Sequence, residues 1–147
     1  MKILVTGVNG QLGHDVMNDL NKRGHKGIGS DIAKSYSGVA DGSAVTTMPY
    51  VQLDITDKAA VTKVITDIHP DAVIHCAAWT AVDMAEDDDK VEQVRAVNAG
   101  GTQNIADACK AVDAKMLYLS TDYVFNGQGD RPWQPDDNNY APLNVYG

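Results

Sequence analysis

No stretch of this sequence approaches the roughly 18 uninterrupted apolar residues that a transmembrane helix needs. The opening residues, "MKILVTG", also lack the apolar core and small-residue cleavage site of a secretory signal. Basic residues are scarce: 12 Lys and Arg stand against 20 Asp and Glu, for a formal net charge of −8. Nucleic acid and anionic membrane both demand surplus cations, so neither is expected as a partner. Cysteine is limited to Cys76 and Cys109, both inside apolar stretches ("VIHCAAW", "IADACKAV"). They read as buried free thiols rather than as a disulfide or a nucleophile. These absences together predict a cytoplasmic protein. One acidic run, "EDDDK" from Glu86 to Lys90, reads as the solvated start of a helix, where carboxylates favour the N-terminal turn. That reading is preferred to a metal site.

What is present fits one domain. The chain has 147 residues, 44% hydrophobic and 22% charged, enough to bury a core. Apolar runs alternate with helical spacing. "KILVTG", "KGIGSD", "YVQLD", "DAVIHCA" and "KMLYLS" read as five strands. Between them, "QLGHDVMNDLNKRGH" carries apolar residues at Leu12, Val16 and Leu20, "KAAVTKVITDIHP" is stopped by Pro70, and "DKVEQVRAVNAGGTQNIADACKAV" is one long helical stretch. Continuous apolar strands separated by helices predict an α/β fold, a parallel sheet covered on both faces. Residues 32–50 read as a surface excursion. The polar, Gly- and Pro-broken segment from Phe125 to Pro142 reads as a functional loop, because long loops in compact domains usually are.

The sharpest local signal is "GVNGQLG", with Gly7, Gly10 and Gly13 between the first strand and first helix and Gln11 and Leu12 at the helix start. Missing Cβ atoms let the backbone turn tightly beside a pyrophosphate, and the helix N-terminus offers unpaired N–H groups to the anion. Asp31 ends the second strand about 20 residues on, where a carboxylate can hydrogen-bond an adenosine ribose 2′-hydroxyl and repel a 2′-phosphate. Lys34 softens that preference, so NADH and NADPH both stay open.

The glycine turn, "LDITD", "HCAAWTAVDMAE", "AVNAGGTQN", "LSTDYVF" and "PLNVYG" stand in an order that resembles the extended short-chain dehydrogenases/reductases, and most closely the dTDP-4-dehydrorhamnose reductase family. The resemblance runs through essentially the whole chain. It implies a Rossmann-like doubly wound sheet, cut short before its last strand and before a C-terminal substrate domain, with residues 1–147 as the NAD(P)-binding domain. It implies reduction of the 4-keto group of a dTDP-sugar to give dTDP-L-rhamnose for polysaccharide biosynthesis. Tyr146 then corresponds to the proton donor of a Tyr-x-x-x-Lys motif, and Thr121 to its hydroxyl partner. The lysine, which would lower the phenol's pKa from near 10, would fall at position 150. A chain without it is expected to bind cofactor and to reduce little or nothing.

By the same resemblance Ala77, Ala78 and Tyr146 meet the cofactor, Asp54 and Ile55 lie beside the adenine, and Thr80, Val82, Thr121, Asp122 and Tyr123 face the sugar nucleotide. Asn98 is given a structural part. Some relatives hold Mg2+ at a homodimer contact of glutamates, one of which falls at Asp15 here; no metal ligand is assigned in this chain. Two other readings on this scaffold are a non-catalytic dinucleotide-binding regulatory module and a nucleotide-sugar epimerase. A dehydratase is disfavoured, because Asp122 is followed by Tyr123 rather than by a glutamate.

Overall fold

Ile3, Leu4 and Val5 are all buried, as a strand covered on both faces requires. In the computed structural model, which describes residues 1–38 and 47–147, they belong to β1, Lys2–Thr6. It is followed by α1 (Gln11–Lys22), β2 (Lys26–Asp31), β3 (Tyr50–Gln52), α2 (Lys58–Ile68) and β4 (Ala72–His75). A 3-10 turn at Asp83–Glu86 leads into α3 (Val91–Arg95), a π turn (Ala96–Gly101) and α4 (Thr102–Ala111), then β5 (Lys115–Tyr118) and a second 3-10 turn at Asp122–Val124.

The five strands form one parallel sheet in the order β3-β2-β1-β4-β5. Side chains alternate across β1, and the two cores follow from that. Leu4 joins Val61, Ile65, Val73 and Ile105 under α2 and α4. Ile3 and Val5 join Val8, Met17 and Leu20 under α1. The chain is thus a Rossmann-like α/β sheet wound on both faces. Switching direction at β1 leaves a crevice at the carboxyl ends of β1 and β4, where such sheets take their ligands.

Two expectations are adjusted. The buried stripe of α1 is Gly13, His14, Met17 and Leu20, while Leu12 is 50% exposed. The helix is rolled so that Gly13, not Leu12, faces the glycine turn. The expected single long helix is continuous in direction but widens at Ala96–Gly101 into a π turn. The acidic run precedes α3, and Asp87, Asp88 and Asp89 are exposed, Asp89 pairing with Lys90 at 2.6 Å. The start and stop of α2 are as its residues dictate. Asp57 caps it by accepting from the Ala60 N–H at 3.0 Å, and His69, before Pro70, ends it in the left-handed region at φ 47°.

Part of the excursion expected at 32–50 lies outside the described residues. The 125–142 loop folds on itself: Phe125 stacks on Trp133 (centroids 4.2 Å, 8° between planes), Tyr140 packs at 5.6 Å, and Arg131 grips Asp137 through two contacts of 2.8 Å. That guanidinium holds the Asp137 carboxyl down at about 2. Among the described residues no helix is long and apolar enough to cross a membrane. Cys109 is buried and Cys76 half-buried, both as free thiols.

Candidate functional site

One end of the crevice is made by absence of side chains. Gly7 sits at φ +73°, and a Cβ there would stand 2.7 Å from the Ala77 nitrogen on β4's exit. A Cβ on Gly13 would fall 2.2 Å from the Gly7 carbonyl oxygen. The turn is closed by Gly10 N–H donating to the Gly7 carbonyl at 3.1 Å. Gly10 is the N-cap residue of α1 and has no side chain to cap it, and no acidic residue stands in the first turn. The first N–H groups of this 12-residue helix therefore keep their dipole and hydrogen-bonding capacity for an anion.

Asp31, at the end of β2, is held rather than free. One carboxylate oxygen accepts the Asn9 N–H at 3.0 Å and the other the Ile32 N–H at 2.8 Å. The Asn9 side chain accepts from Ser37 N–H at 3.2 Å and donates to the Ser35 carbonyl at 3.4 Å, tying the glycine turn to the segment after β2. The Tyr50 hydroxyl donates to the Asp31 carbonyl at 3.1 Å, and burial, then the Asp31 charge, push its phenol up. Beyond β3, the Asp54 carboxylate accepts both the N–H (2.9 Å) and hydroxyl (2.7 Å) of Thr56. Ile55 is buried beside it.

The exit from β4 is bound to the π turn. Asn98, within the π turn, accepts the Trp79 N–H at 2.7 Å and donates to the Trp79 carbonyl at 3.0 Å. π turns recur where a helix must place one side chain into a site. His75, buried at the end of β4, contacts the Thr6 hydroxyl at 2.7 Å and the Thr102 hydroxyl at 3.2 Å. Its burial lowers the imidazole pKa to about 4. Burial likewise pushes the Cys76 thiol up to about 11, so it is no nucleophile at neutral pH.

At the far end, Thr121 accepts the Tyr123 N–H at 3.2 Å, capping the second 3-10 turn. Tyr146 packs edge-on against Tyr123 (5.5 Å, 84°). Its segment is pinned by Glu86, which accepts the Val145 N–H at 2.7 Å, and by Asn144, which accepts the Gly147 N–H at 2.8 Å.

One cleft of about 590 Å³ joins these parts. Its wall brings together Gly7, Gly10, Gln11, Leu12, Gly13 and Asp31 with Asp54 and Ile55, then Ala77, Ala78 and Thr80, then Thr121 and Tyr146. Val82, Asp122 and Tyr123 stand outside that wall. Val82 precedes the first 3-10 turn, the Asp122 carboxylate accepts the Thr121 hydroxyl at 3.4 Å, and Tyr123 backs Tyr146. Sequence reasoning passed over Ser30, His75, Trp79 and Thr102, which also line the cleft; a histidine inside the apolar strand "AVIH" was a readable signal, since a buried imidazole must find partners. Asp31 and Asp54 are the carboxylates of the wall, and among its described residues there is no Lys or Arg. Among the described residues no group of three or more His, Cys, Asp or Glu could hold a metal ion.

The sequence matches the protein family described as RmlD substrate binding domain over residues 1–147. A dTDP-4-dehydrorhamnose reductase from Streptomyces griseus is 42% identical over 144 residues, 98% of this chain but 40% of that protein. The crystal structure of a dTDP-4-dehydrorhamnose reductase from Clostridium acetobutylicum superposes with a TM-score of 0.81 at 36% identity, covering 100% of this chain and 45% of that one. Another from Bacillus anthracis, in complex with NADP, gives 0.75 at 36% identity, over 99% of this chain and 45% of that one. The chain thus spans less than half the length of these relatives.

Proposed function

The chain belongs to the RmlD substrate binding domain family, and we propose that it forms the dinucleotide-binding part of an NAD(P)H-dependent reductase that converts a dTDP-linked 4-keto-6-deoxysugar to dTDP-L-rhamnose. The observation that carries the reading is the uncapped start of α1, framed by Gly7, Gly10 and Gly13, at one end of a cleft whose other end holds Thr121 and Tyr146.

Gly7, Gly10, Gln11, Leu12 and Gly13 would cradle the pyrophosphate, Asp31 the adenosine ribose, and Asp54 with Ile55 the adenine. Ala77, Ala78 and Tyr146 would border the nicotinamide, which when bound supplies the hydride. Tyr146 donates its phenolic proton to the carbonyl oxygen of the sugar, and the Thr121 hydroxyl orients that oxygen. Thr80, Val82, Asp122 and Tyr123 complete the sugar side, the last three from behind the cleft wall. Asp31, with no Lys or Arg on the described wall, favours NADH, because a 2′-phosphate would meet a carboxylate and no compensating cation. NADP in the Bacillus anthracis relative makes that preference the point to test.

Titration of this chain with NADH and NADPH is expected to show saturable binding. In the longer protein, Tyr146→Phe should cut the reduction rate by about 100-fold or more, the usual worth of a positioned acid, and weaken dinucleotide binding far less than that. A wild-type chain that binds neither dinucleotide at about 1 mM (about −4 kcal/mol) overturns the cofactor reading. A Tyr146→Phe enzyme of unchanged rate overturns the catalytic one and leaves a regulatory binding module.

A further inference from the structure

The His75 imidazole is a buried polar group that neither the proton donor nor the phosphate turn uses. We infer that His75 is a positioning residue of the cleft, held as the neutral Nε2–H tautomer by a one-directional chain of hydrogen bonds that runs from the amides of Cys76 and Ala77 to the carbonyl of Asn98. The inference rests on the dinucleotide reading for its consequence, though not for its geometry.

The direction is forced from both ends. The Thr102 hydroxyl lies 2.6 Å from the Asn98 carbonyl. A carbonyl oxygen only accepts, so the single Thr102 hydroxyl proton is committed there. Its contact with His75 Nε2 at 3.2 Å must then be Nε2–H donating to the hydroxyl oxygen. At the other end, Thr6 Oγ1 receives the Cys76 N–H at 3.2 Å and the Ala77 N–H at 3.1 Å. Amide groups only donate, so both oxygen lone pairs are occupied and the Thr6 proton points elsewhere. Its remaining neighbour is His75 Nδ1 at 2.7 Å, which therefore carries no proton. The opposite tautomer would need Thr6 to accept a third hydrogen and Thr102 to abandon Asn98.

The chain of bonds encloses the cleft-lining segment Cys76–Trp79. Its first two amides are held through Thr6, and Trp79 is held by the Asn98 side chain at 2.7 and 3.0 Å. His75 is the joint between the two anchors. Because the Ala77 backbone is also what abuts Gly7, the joint sets the spacing between the phosphate turn and the nicotinamide edge. Tyr118, stacked on the imidazole at 6.1 Å, fixes the ring plane.

The test uses Thr102→Val, which removes the hydroxyl, and Thr102→Ser, which restores it. A long-range proton–nitrogen NMR spectrum of the wild-type chain should show a pyrrole-type Nε2 and a pyridine-type Nδ1 at His75. Thr102→Val should speed amide exchange at Cys76 and Ala77, across the imidazole from the mutation. It should also raise the NADH dissociation constant about tenfold, the size expected for a lost polar contact, with Thr102→Ser returning both to within about twofold. A pyrrole-type Nδ1, or amides at 76 and 77 that exchange at the wild-type rate in Thr102→Val, overturns the inference. If NADH binds the wild type and the valine variant equally, the positioning role is overturned. If the wild type binds neither dinucleotide, the cofactor reading fails, and the exchange data alone decide whether His75 joins the two anchors.

Discussion

Replacing Gly13 by alanine probes the glycine turn more severely than its position on a helix suggests. A Cβ at Gly13 would lie 2.2 Å from the Gly7 oxygen, 2.7 Å from the Gly7 carbon and 2.9 Å from the Val8 Cα, all backbone atoms. Restoring an ordinary separation of 3.4 Å from that oxygen means opening the turn by about 1 Å. Overpacking of this kind costs about 1–3 kcal/mol, and the upper end applies because no flexible side chain can yield. Alanine's better helix propensity returns about 1 kcal/mol. The net loss is about 2 kcal/mol, which for a domain of this size lowers Tm by roughly 4–8 °C. Gly10→Ala is the control, because its Cβ would sit 3.3 Å from the same Gly7 oxygen and needs an adjustment of only a few tenths of an ångström. Thermal unfolding followed by circular dichroism, paired with NADH titration, reads both effects. Gly13→Ala should lose stability and bind at least about tenfold more weakly, a loss of about 1.4 kcal/mol or more, whereas Gly10→Ala should unfold near the wild-type temperature. A Gly13→Ala chain as stable as wild type would refute the reasoning, since it would show that the turn opens without cost.

Acid should act through His75. An unfolded imidazole takes its proton as pH falls through about 6.5, while the folded one refuses it until about 4. Between those values the unfolded chain binds more protons, so stability is complete above about 6.5 and declines toward 4, by roughly 3 kcal/mol. Urea unfolding from pH 7 to 4 should show that slope in wild type and a shallower one in His75→Gln. Asp31→Ala should shift the NADPH-to-NADH affinity ratio toward NADPH by about tenfold, corresponding to about 1.4 kcal/mol; an unchanged ratio would remove Asp31 from the ribose site. Glu86→Ala should speed amide exchange at Val145, whose N–H it accepts, and Glu86→Gln should retain protection. Equal exchange in both variants would detach Glu86 from the placement of Tyr146.

The parts of the fold legible in the sequence are those set by neighbours along the chain. Gly7, Gly10 and Gly13, the apolar strand runs, and Pro70 after α2 each act within a few residues, and each turned up where the spacing put it. What escaped depends on partners far away. Leu12 fits a helical stripe, yet Gly13's approach to Gly7 rolls α1 and leaves it exposed. Asn98 is a poor helix residue for reasons local propensity can state, but its use, pairing with Trp79 across a π turn, requires β4 and that turn to be side by side. His75 looked like one polar residue in an apolar strand, and its partners Thr6 and Thr102 are separated from it by 69 and 27 residues. The Phe125–Trp133 stack is likewise invisible in a segment whose composition is that of a polar loop.

The proposed phosphate site, with backbone N–H groups and no Lys or Arg among the described residues of the cleft wall, on a chain of net charge −8, would have a kinetic signature. An anionic dinucleotide would approach against the field of the protein and be captured by short-range dipoles in the last few ångströms. Added salt shortens the reach of that repulsion, to about 8 Å at physiological ionic strength, and acts less on dipoles in direct contact with the ligand. Association therefore quickens as ionic strength rises, the reverse of a cleft that draws in its ligand with lysines.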